Sequence, residues 1–285
     1  MKKNMVPLIL SFAIIILGIG CSNNLLSSVQ QPPPVKKEFY AAGSGSAVPI
    51  MRKLSERYNQ EYGENIQIPD GISSNGGMEA VKNGAVDLGL TARPQLTEAE
   101  KKMGLVQLVF ARIGVIVGVN PTVTENDLSG QQLADIYSAR KTEWQNNQKI
   151  VVLLKEDGDS SNKVLADNIP GFKQALDEAY VKKRWQICYS GTTCMKTLAK
   201  TPYSIGVIDT GLMTVYKPKI KALSINGIAP SISNIKSGKY VLHKDLNFVY
   251  KTPLSDRANK FIQWVYSEEG QQIITESGGI PVNAE

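Results

Sequence analysis

From residue 38 onward, short apolar runs alternate with segments in which apolar residues recur at helical spacing. Apolar residues three or four positions apart predict helices, and short β-branched runs predict strands. The predicted strands are 38–42, 66–69, 86–90, 105–119, 150–154, 204–208, 222–225 and 247–250. The predicted helices are 47–61, 77–83, 128–137, 170–185 and one long helix from residue 255. Helical connections between strands favour parallel pairing, so the pattern predicts an α/β protein.

The alternation runs through the chain twice, once before residue 118 and once after it. We therefore predict two lobes, each a mixed sheet flanked by helices, with the final strand and helix returning to the first lobe. The predicted bounds are 38–118 plus 241–285 for lobe 1 and 119–240 for lobe 2. Ligands of such sheets bind beyond the carboxyl ends of the strands, at helix N-termini, so we expect a ligand cleft between the lobes.

The first 37 residues differ in composition from the rest of the chain. A basic start and an apolar run that ends at Cys21 have the layout of a secretion signal, and the run is shorter than the roughly 20 residues of a membrane span. We predict a signal peptide over 1–20, a lipid-modified Cys21 and a tether over 21–37 that is stiffened by prolines. Gly18 stands where lipoprotein signals usually carry an aliphatic residue, so an ordinary secretory signal is the alternative.

Composition and charge narrow the class of protein. A content of 42% hydrophobic and 20% charged residues is typical of a globular chain with ample core. The formal net charge of +6 comes from basic residues spread along the chain, with one short cluster at 182–184 that we interpret as a solvated helix face. No basic run is interleaved with aromatic residues, so nucleic-acid binding is not expected.

Three loops rich in Gly and Ser each open a segment with helical spacing, and we call 42–49 the first loop, 71–78 the second loop and 155–162 the third loop. The first backbone N–H groups of a helix have no partner within the helix. Together with the helix dipole and nearby serine hydroxyls, they favour a small anion. One such loop commonly only caps its helix, but three in one chain indicate a binding cleft for an oxyanion.

Cysteine and histidine usage bears on the remaining chemistry. If Cys21 carries lipid, Cys188 and Cys194 are left as a pair, and in an oxidising compartment they can form a disulfide; two buried thiols are the alternative. A metal site is not expected, because His243 is the only histidine and no ligand cluster surrounds the two cysteines. An enzyme is not expected either, because the sequence offers no nucleophile paired with a base.

Further sequence blocks follow one another in an order that, together with the loops, resembles one family. The chain resembles the phosphate-type substrate-binding proteins of ABC importers, which have the type II periplasmic-binding fold, over about residues 38–285. The blocks that carry the resemblance are 43–49, 71–78, 83–94, 128–137 followed by Trp144, 203–208, 225–230, 238–242 and 267–272. Each block alone is weakly specific, whereas their number and order together are strongly specific.

The resemblance implies a set of ligand-binding residues in the loops and at strand ends. Carried over position by position, this set is Gly45, Ser46, Ser74, Thr91, Ala92, Arg93, Lys155, Asp159, Ser160 and Ser161. Backbone N–H groups and hydroxyls would supply most of the contacts to the anion, and the two basic side chains would add charge.

Three positions depart from the phosphate-binding pattern. Lys155 stands where arginine is usual, which keeps the charge but loses the planar fork. Ala92 cannot accept a proton from hydrogen phosphate, and Asp159 places a carboxylate where a hydroxyl is expected. An ionised Asp159 would repel a neighbouring anion by about 4 kcal/mol at roughly 4 Å. Either Asp159 has taken over the proton-accepting role that Ala92 lacks, or the pocket no longer binds phosphate.

The resemblance also implies a cellular role. We expect a membrane-anchored, extracytoplasmic lipoprotein that is a monomer, needs no cofactor and captures a small inorganic anion, first of all phosphate. Its lobes would close around the ion by a hinge motion, and the ion would pass to an ABC permease and its ATPase. The alternatives are a sensor or surface interaction lipoprotein with the same fold, or a binder of molybdate, tungstate or a small organic acid.

Overall fold

The structure, a computed structural model, describes residues 38–282. The strands are β1 (Phe39–Gly43), β2 (Ile66–Gln67), β3 (Leu88–Thr91), β4 (Leu105–Val119), β5 (Asp127–Leu128), β6 (Val151–Lys155), β7 (Gln186–Cys188), β8 (Ser204–Asp209), β9 (Lys221–Ala222), β10 (Ser224–Ile225), β11 (His243–Lys251) and β12 (Ile280–Pro281). The helices are α1 (Val48–Tyr62), α2 (Ser73–Lys82), α3 (Glu98–Lys102), α4 (Gly130–Tyr137), α5 (Ser160–Asn168), α6 (Phe172–Val181), α7 (Gly191–Lys200), α8 (Thr210–Tyr216), α9 (Ile232–Lys236), α10 (Asp256–Val265) and α11 (Glu268–Glu276). The predicted signal peptide, the lipid-modified Cys21 and the tether lie outside the described residues.

The long strand β4 joins the main sheet by pairing with different strands along its two halves. Residues 105–114 pair antiparallel with β11, and residues 115–119 pair antiparallel with β8. The strand order is β2-β1-β3-β11-β4-β8-β6-β7, with β12 and β9 also pairing with β4. Parallel pairs connect β1 with β2 and β3, and β6 with β7 and β8. The predicted α/β class, with helices connecting the strands of a mixed sheet, is confirmed.

The two largest hydrophobic cores of the described residues both include part of β4. The first core packs α1 and α10 against β1, β3, β11 and the first half of β4, and it includes Phe39, Leu54, Phe110, Phe248 and Phe261. The second core packs α4 and α6 against β6, β8 and the second half of β4, and it includes Tyr137, Trp144, Leu154, Phe172 and Val207. The chain passes from the first core to the second within β4 and returns at β11. The predicted lobe bounds follow this order of segments, and the bounds themselves stay a prediction.

The β-branched run at residues 113–117 explains why β4 continues without a break from one core to the next. Gly114 is the last residue of β4 that pairs with β11. A Cβ at this position would lie 2.6 Å from Ile235 Cδ1 and 3.0 Å from Thr210 Cγ2, so glycine lets both side chains approach the strand. The crossing point between the cores is therefore tightly packed.

Several predicted helices have different bounds in the structure, among them 170–185, which is shortened to α6 (Phe172–Val181). Helix α2 begins at Ser73 rather than at residue 77, so the serines of the second loop lie in its first turn. The Ser73 hydroxyl accepts a hydrogen bond from the Gly76 N–H at 3.1 Å, and the φ of Ser73 is 70°. The predicted long final helix is two helices, because the Ser267 hydroxyl caps a new helix by accepting from the Gly270 N–H. The predicted strand 222–225 is likewise two short strands, β9 and β10.

The predicted disulfide is contradicted by the structure, in which Cys188 and Cys194 are free, buried thiols. Cys188 ends β7 and Cys194 lies in α7, where both pack as small apolar side chains among Leu153, Leu198 and Ile208. A hydrogen bond between the thiols lowers the pKa of Cys188 and raises that of Cys194. The alternative of two buried thiols describes this structure.

Candidate functional site

The first and second loops touch each other at the ends of neighbouring strands. The Ser44 N–H donates to the Leu90 carbonyl, and the Ile72 N–H donates to the Gly43 carbonyl, each at 2.8 Å. A Cβ on Gly71 would lie only 2.4 Å from the Gly45 Cα, so the two loops can meet this closely only because residue 71 is glycine. The N-termini of α1 and α2 consequently open beside each other.

The N-terminus of α7, which follows the strand paired with β6, approaches the same place. A Cβ built on Gly45 would lie 4.0 Å from the Gly191 nitrogen, the first residue of α7. One built on Gly191 would lie 3.8 Å from the Lys155 Nζ. Ser190 caps this helix by accepting from the Thr193 N–H at 3.1 Å. Loops from both cores thus meet at one site.

The hydroxyls of Ser74 and Thr91 are held by backbone donors. The Ala92 N–H donates to Ser74 Oγ at 3.0 Å, and the Arg93 N–H donates to Thr91 Oγ1 at 3.1 Å. A hydroxyl carries one donor and two acceptor lone pairs, so each of these groups keeps its own proton for another acceptor. Ala92 is buried next to them and adds no polar side chain.

The Arg93 side chain is engaged in an ion pair rather than turned freely towards the loops. Its guanidinium donates to both carboxylate oxygens of Glu100, at 2.9 and 3.0 Å. This contact, together with hydrogen bonds from Thr97, lowers the pKa of Glu100 to about 2. Thr97 and Glu100 also form the capping box of α3, so Arg93 is fixed to that helix. A direct contact between Arg93 and an anion stays a prediction.

Lys155 and Asp159 form a buried ion pair in the third loop. Lys155 ends β6, is only 7% exposed, and places its Nζ 3.3 Å from Asp159 Oδ2. Asp159 caps α5 by accepting from the Ser161 N–H at 2.7 Å. Burial is the largest single influence and works against both charges, but it is outweighed by the attraction within the pair together with Asp209, Lys244 and the Ser161 hydrogen bond, so the pKa of Lys155 is raised and that of Asp159 is lowered. Asp159 is therefore ionised at neutral pH.

Two residues that the sequence analysis does not identify, Lys244 and Asp209, join this group. Lys244 lies in β11, is 6% exposed, and donates to Ser160 Oγ and Ser161 Oγ, both at 2.8 Å. Asp209 ends β8, caps α8, and accepts a side-chain hydrogen bond from Ser46. Burial lowers the pKa of Lys244 and raises that of Asp209, although each attracts the other's charge.

The sequence signals for these two residues differ in strength. Asp209 directly follows the predicted strand 204–208, so the rule that ligands bind at strand ends could have found it. Lys244 precedes the predicted start of its strand at 247, and nothing in its local pattern distinguishes it from a surface lysine. Its burial depends on pairing between β11 and β4, which are far apart in sequence.

A cavity of about 270 Å³ opens beside the group, with Ala92, Ser160, His243 and Lys244 in its wall. Within the described part of the chain, a larger groove of about 550 Å³ lies between α1, α8 and α11, and it contains none of the predicted ligand residues. The smaller cavity borders the N-terminus of α5 through Ser160, and its wall also holds the ammonium groups of Lys163 and Lys244 and the carboxylates of Asp167 and Asp245. With the helix N-termini and hydroxyls of the neighbouring loops, this side of the group offers several donors to an oxyanion.

Two absences among residues 38–282 bear on other classes of site. No group of three or more His, Cys, Asp or Glu side chains in this range is placed to hold a metal ion. No helix in this range is both long and apolar enough to cross a membrane.

Comparison with known proteins identifies the family. The model of the PBP superfamily domain matches residues 28–269. The chain belongs to the PBP superfamily. Among curated members, it is 29% identical to the phosphate-binding protein PstS of Bacillus subtilis (strain 168) over 300 residues, covering 99% of this chain and 95% of that protein. It is 25% identical to the phosphate-binding protein PstS of Borreliella burgdorferi, covering 93% of this chain and 97% of that protein.

Solved structures of superfamily members confirm the predicted fold. A phosphate ABC transporter substrate-binding protein from Clostridium perfringens, solved with bound phosphate, superimposes with a TM-score of 0.76. That likeness covers 86% of this chain and 100% of the other, at 23% sequence identity, and it bears on the fold alone. The resemblance to phosphate-type substrate-binding proteins is thus confirmed for this superfamily member, while its individual ligand contacts stay predictions.

Proposed function

We propose that this protein is the extracytoplasmic substrate-binding component of an ABC importer, and that it binds phosphate in the cleft between its two lobes. The observation that carries the proposal is the meeting of the first, second and third loops around buried cations. Helix N-termini supply backbone N–H groups, serine and threonine hydroxyls supply further donors, and Lys155 supplies charge. Full-length relatives named as phosphate-binding proteins support the same ligand.

The charges buried at the site favour an anion that carries a proton. The group contains two ammonium side chains, Lys155 and Lys244, and two carboxylates, Asp159 and Asp209. A fully deprotonated anion would meet both carboxylates, whereas hydrogen phosphate can donate its proton to one of them. We propose that Asp159 accepts this proton, in place of the carboxylate that Ala92 lacks.

The membrane and transport partners follow from the same proposal. A lipid on Cys21 would anchor the protein outside the cell, and the tether over 21–37 would let the binding domain reach its permease. The captured ion would then pass to that permease, which is driven by an ATPase. The protein would act as a monomer without catalysing a reaction.

The test is a calorimetric and thermal-shift panel on the full chain, with phosphate, sulfate, molybdate, tungstate and citrate as probes. A ligand at 100 times its dissociation constant stabilises the folded state by about 2.7 kcal/mol, which is readily measured. A response to phosphate supports the proposal, and a response to another anion alone would replace the substrate. If no anion binds, the protein is better described as a sensor or surface interaction protein.

A variant tests the role of Asp159 separately. Under the proposal, Asp159→Ser weakens phosphate binding or admits sulfate, because the proton acceptor is gone. Stronger phosphate binding by this variant would contradict that role. The exposed Asp177, which pairs with Lys173 on α6, supplies the matched control Asp177→Ser.

A further inference from the structure

Lys244 is a buried lysine of the candidate site. It comes from the strand with which the chain returns to the first core. It lies in β11, opposite Ile113 of β4, and its ammonium extends to the first turn of α5. A buried ammonium is costly unless it is hydrogen-bonded, and here it has two serine oxygens at 2.8 Å. Resting on the proposed function, we propose that Lys244 is a positioning residue that orients the hydroxyl protons of Ser160 and Ser161 towards the bound phosphate.

The argument follows from the donors and acceptors in this contact. An ammonium has three protons and no acceptor, so it can only donate to the two hydroxyls. Each serine oxygen therefore acts as the acceptor towards Lys244, and each serine proton must point to some other acceptor. An anion in the adjacent cavity is such an acceptor for Ser160, which lies in its wall together with Lys244, and Ser161 follows in the same first turn of α5. A hydroxyl can otherwise donate or accept, and the contact with Lys244 leaves both serine hydroxyls as donors.

The surrounding charges hold the ammonium in this place. Asp159 and Asp209 attract Lys244, and Lys155 repels it. Ser161 is held from two sides, since its N–H donates to Asp159 and its hydroxyl accepts from Lys244. Two elements from different parts of the sheet, β11 and α5, are thus fixed to each other before the ligand arrives. Such preorganisation strengthens binding because fewer groups must be ordered by the ligand.

A double-mutant cycle separates this role from a purely structural one. Affinity for inorganic phosphate is measured by calorimetry for the full chain, for Lys244→Met, for Ser160→Ala/Ser161→Ala and for the triple variant. We expect Lys244→Met alone to weaken binding about tenfold or more, because hydrogen bonds made by charged groups are among the strong ones. In the background without the hydroxyls, the same substitution should cost less than about threefold, because the groups it orients are absent.

Control variants and ligand-free melting complete the design. Lys53 on α1 is exposed, pairs with Glu56 and lines the larger groove rather than this cavity, so Lys53→Met should change phosphate affinity by less than about twofold. The melting temperature without ligand shows whether Lys244→Met folds, and if it does not, Lys244→Gln replaces it. Glutamine still donates, but its carbonyl also accepts, so it should allow a serine proton to turn away and give an intermediate loss.

The outcomes are distinct. If the full chain binds phosphate and Lys244→Met binds it equally well, this inference fails while the proposed function stands. Equal costs of Lys244→Met in both backgrounds would also overturn it, because the effect would then not act through the hydroxyls. If the unmodified chain binds no phosphate, the proposed function fails, and this inference fails with it.

Discussion

Replacing Glu100 by Gln removes one charge from the ion pair with Arg93 and leaves the shape of α3 unchanged. The glutamine carbonyl can still accept from the Thr97 N–H, which donates to Glu100 at 2.8 Å, so the capping interaction persists. What disappears is the bidentate charge pair, whose two contacts measure 2.9 and 3.0 Å. The variant therefore isolates the electrostatic part of this contact.

The size of the effect follows from the pKa of Glu100. The fall from 4.5 to about 2 corresponds to about 3.4 kcal/mol, at about 1.36 kcal/mol per pKa unit. Arg93 is 26% exposed, so solvent screening reduces this figure, and part of the shift comes from the Thr97 hydrogen bonds that glutamine retains, so we expect a loss of about 2 kcal/mol at pH 7. For a protein of this size, that loss lowers the melting temperature by about 4–8 °C.

The pH dependence has a defined sign. Because the folded state lowers the pKa of Glu100, the stabilisation is present above pH 4.5 and is lost as the pH falls towards about 2. Thermal and urea unfolding of both proteins between pH 7 and pH 3 should therefore show curves that converge in acid. Glu98→Gln, at an 80% exposed carboxylate of the same helix, is the control and should change little. A difference in stability between the two proteins that is absent at pH 7, or that stays constant into acid, would refute the reasoning.

Three further predictions concern the packing and the site. Gly77→Ala should destabilise the fold by about 1–3 kcal/mol in urea unfolding, because its Cβ would lie 2.7 Å from the Gly43 Cα; an unchanged midpoint would contradict this close approach. Peptides that contain Cys188 and Cys194 should be alkylated only after unfolding, because both thiols are buried. Mass-spectrometric detection of a disulfide in unreduced protein would show instead that they are bonded. Lys155→Met should weaken phosphate binding about tenfold or more in calorimetry, because it removes a buried charge; equal affinity would exclude Lys155 from the site.

Local signals explain which parts of the fold can be predicted from the sequence. The long strand β4 and the strand-to-helix loops are visible because β-branched runs, glycines and serines act on their immediate neighbours. The start of α2 is missed, because a serine with a φ of 70° begins a helix where the sequence indicates a loop. The break between α10 and α11 is missed as well, although Ser267 is a recognisable cap.

In the candidate site, too, some residues can be placed from local sequence signals and others cannot. Residues at strand ends, such as Lys155 and Asp159, can be placed from the sequence because the strand and the helix that flank them are contiguous. Lys244 cannot, because its position depends on pairing between β11 and β4. The ion pair of Arg93 with Glu100 is readable in part, since Thr97 and Glu100 have the spacing of a capping box. The spacing does not reveal that the carboxylate also holds Arg93.

Strand β11 comes late in the chain but lies between β3 and β4, which come much earlier. The first core also requires α10 from the same late segment. A chain that appears N-terminus first therefore cannot complete its N-terminal core until residue 243 and the residues after it are available. Many domains instead fold while later segments are still being made. For a chain exported as proposed, this delay would keep the precursor unfolded while it crosses the membrane. Folding would finish only when the C-terminal segment emerged on the far side.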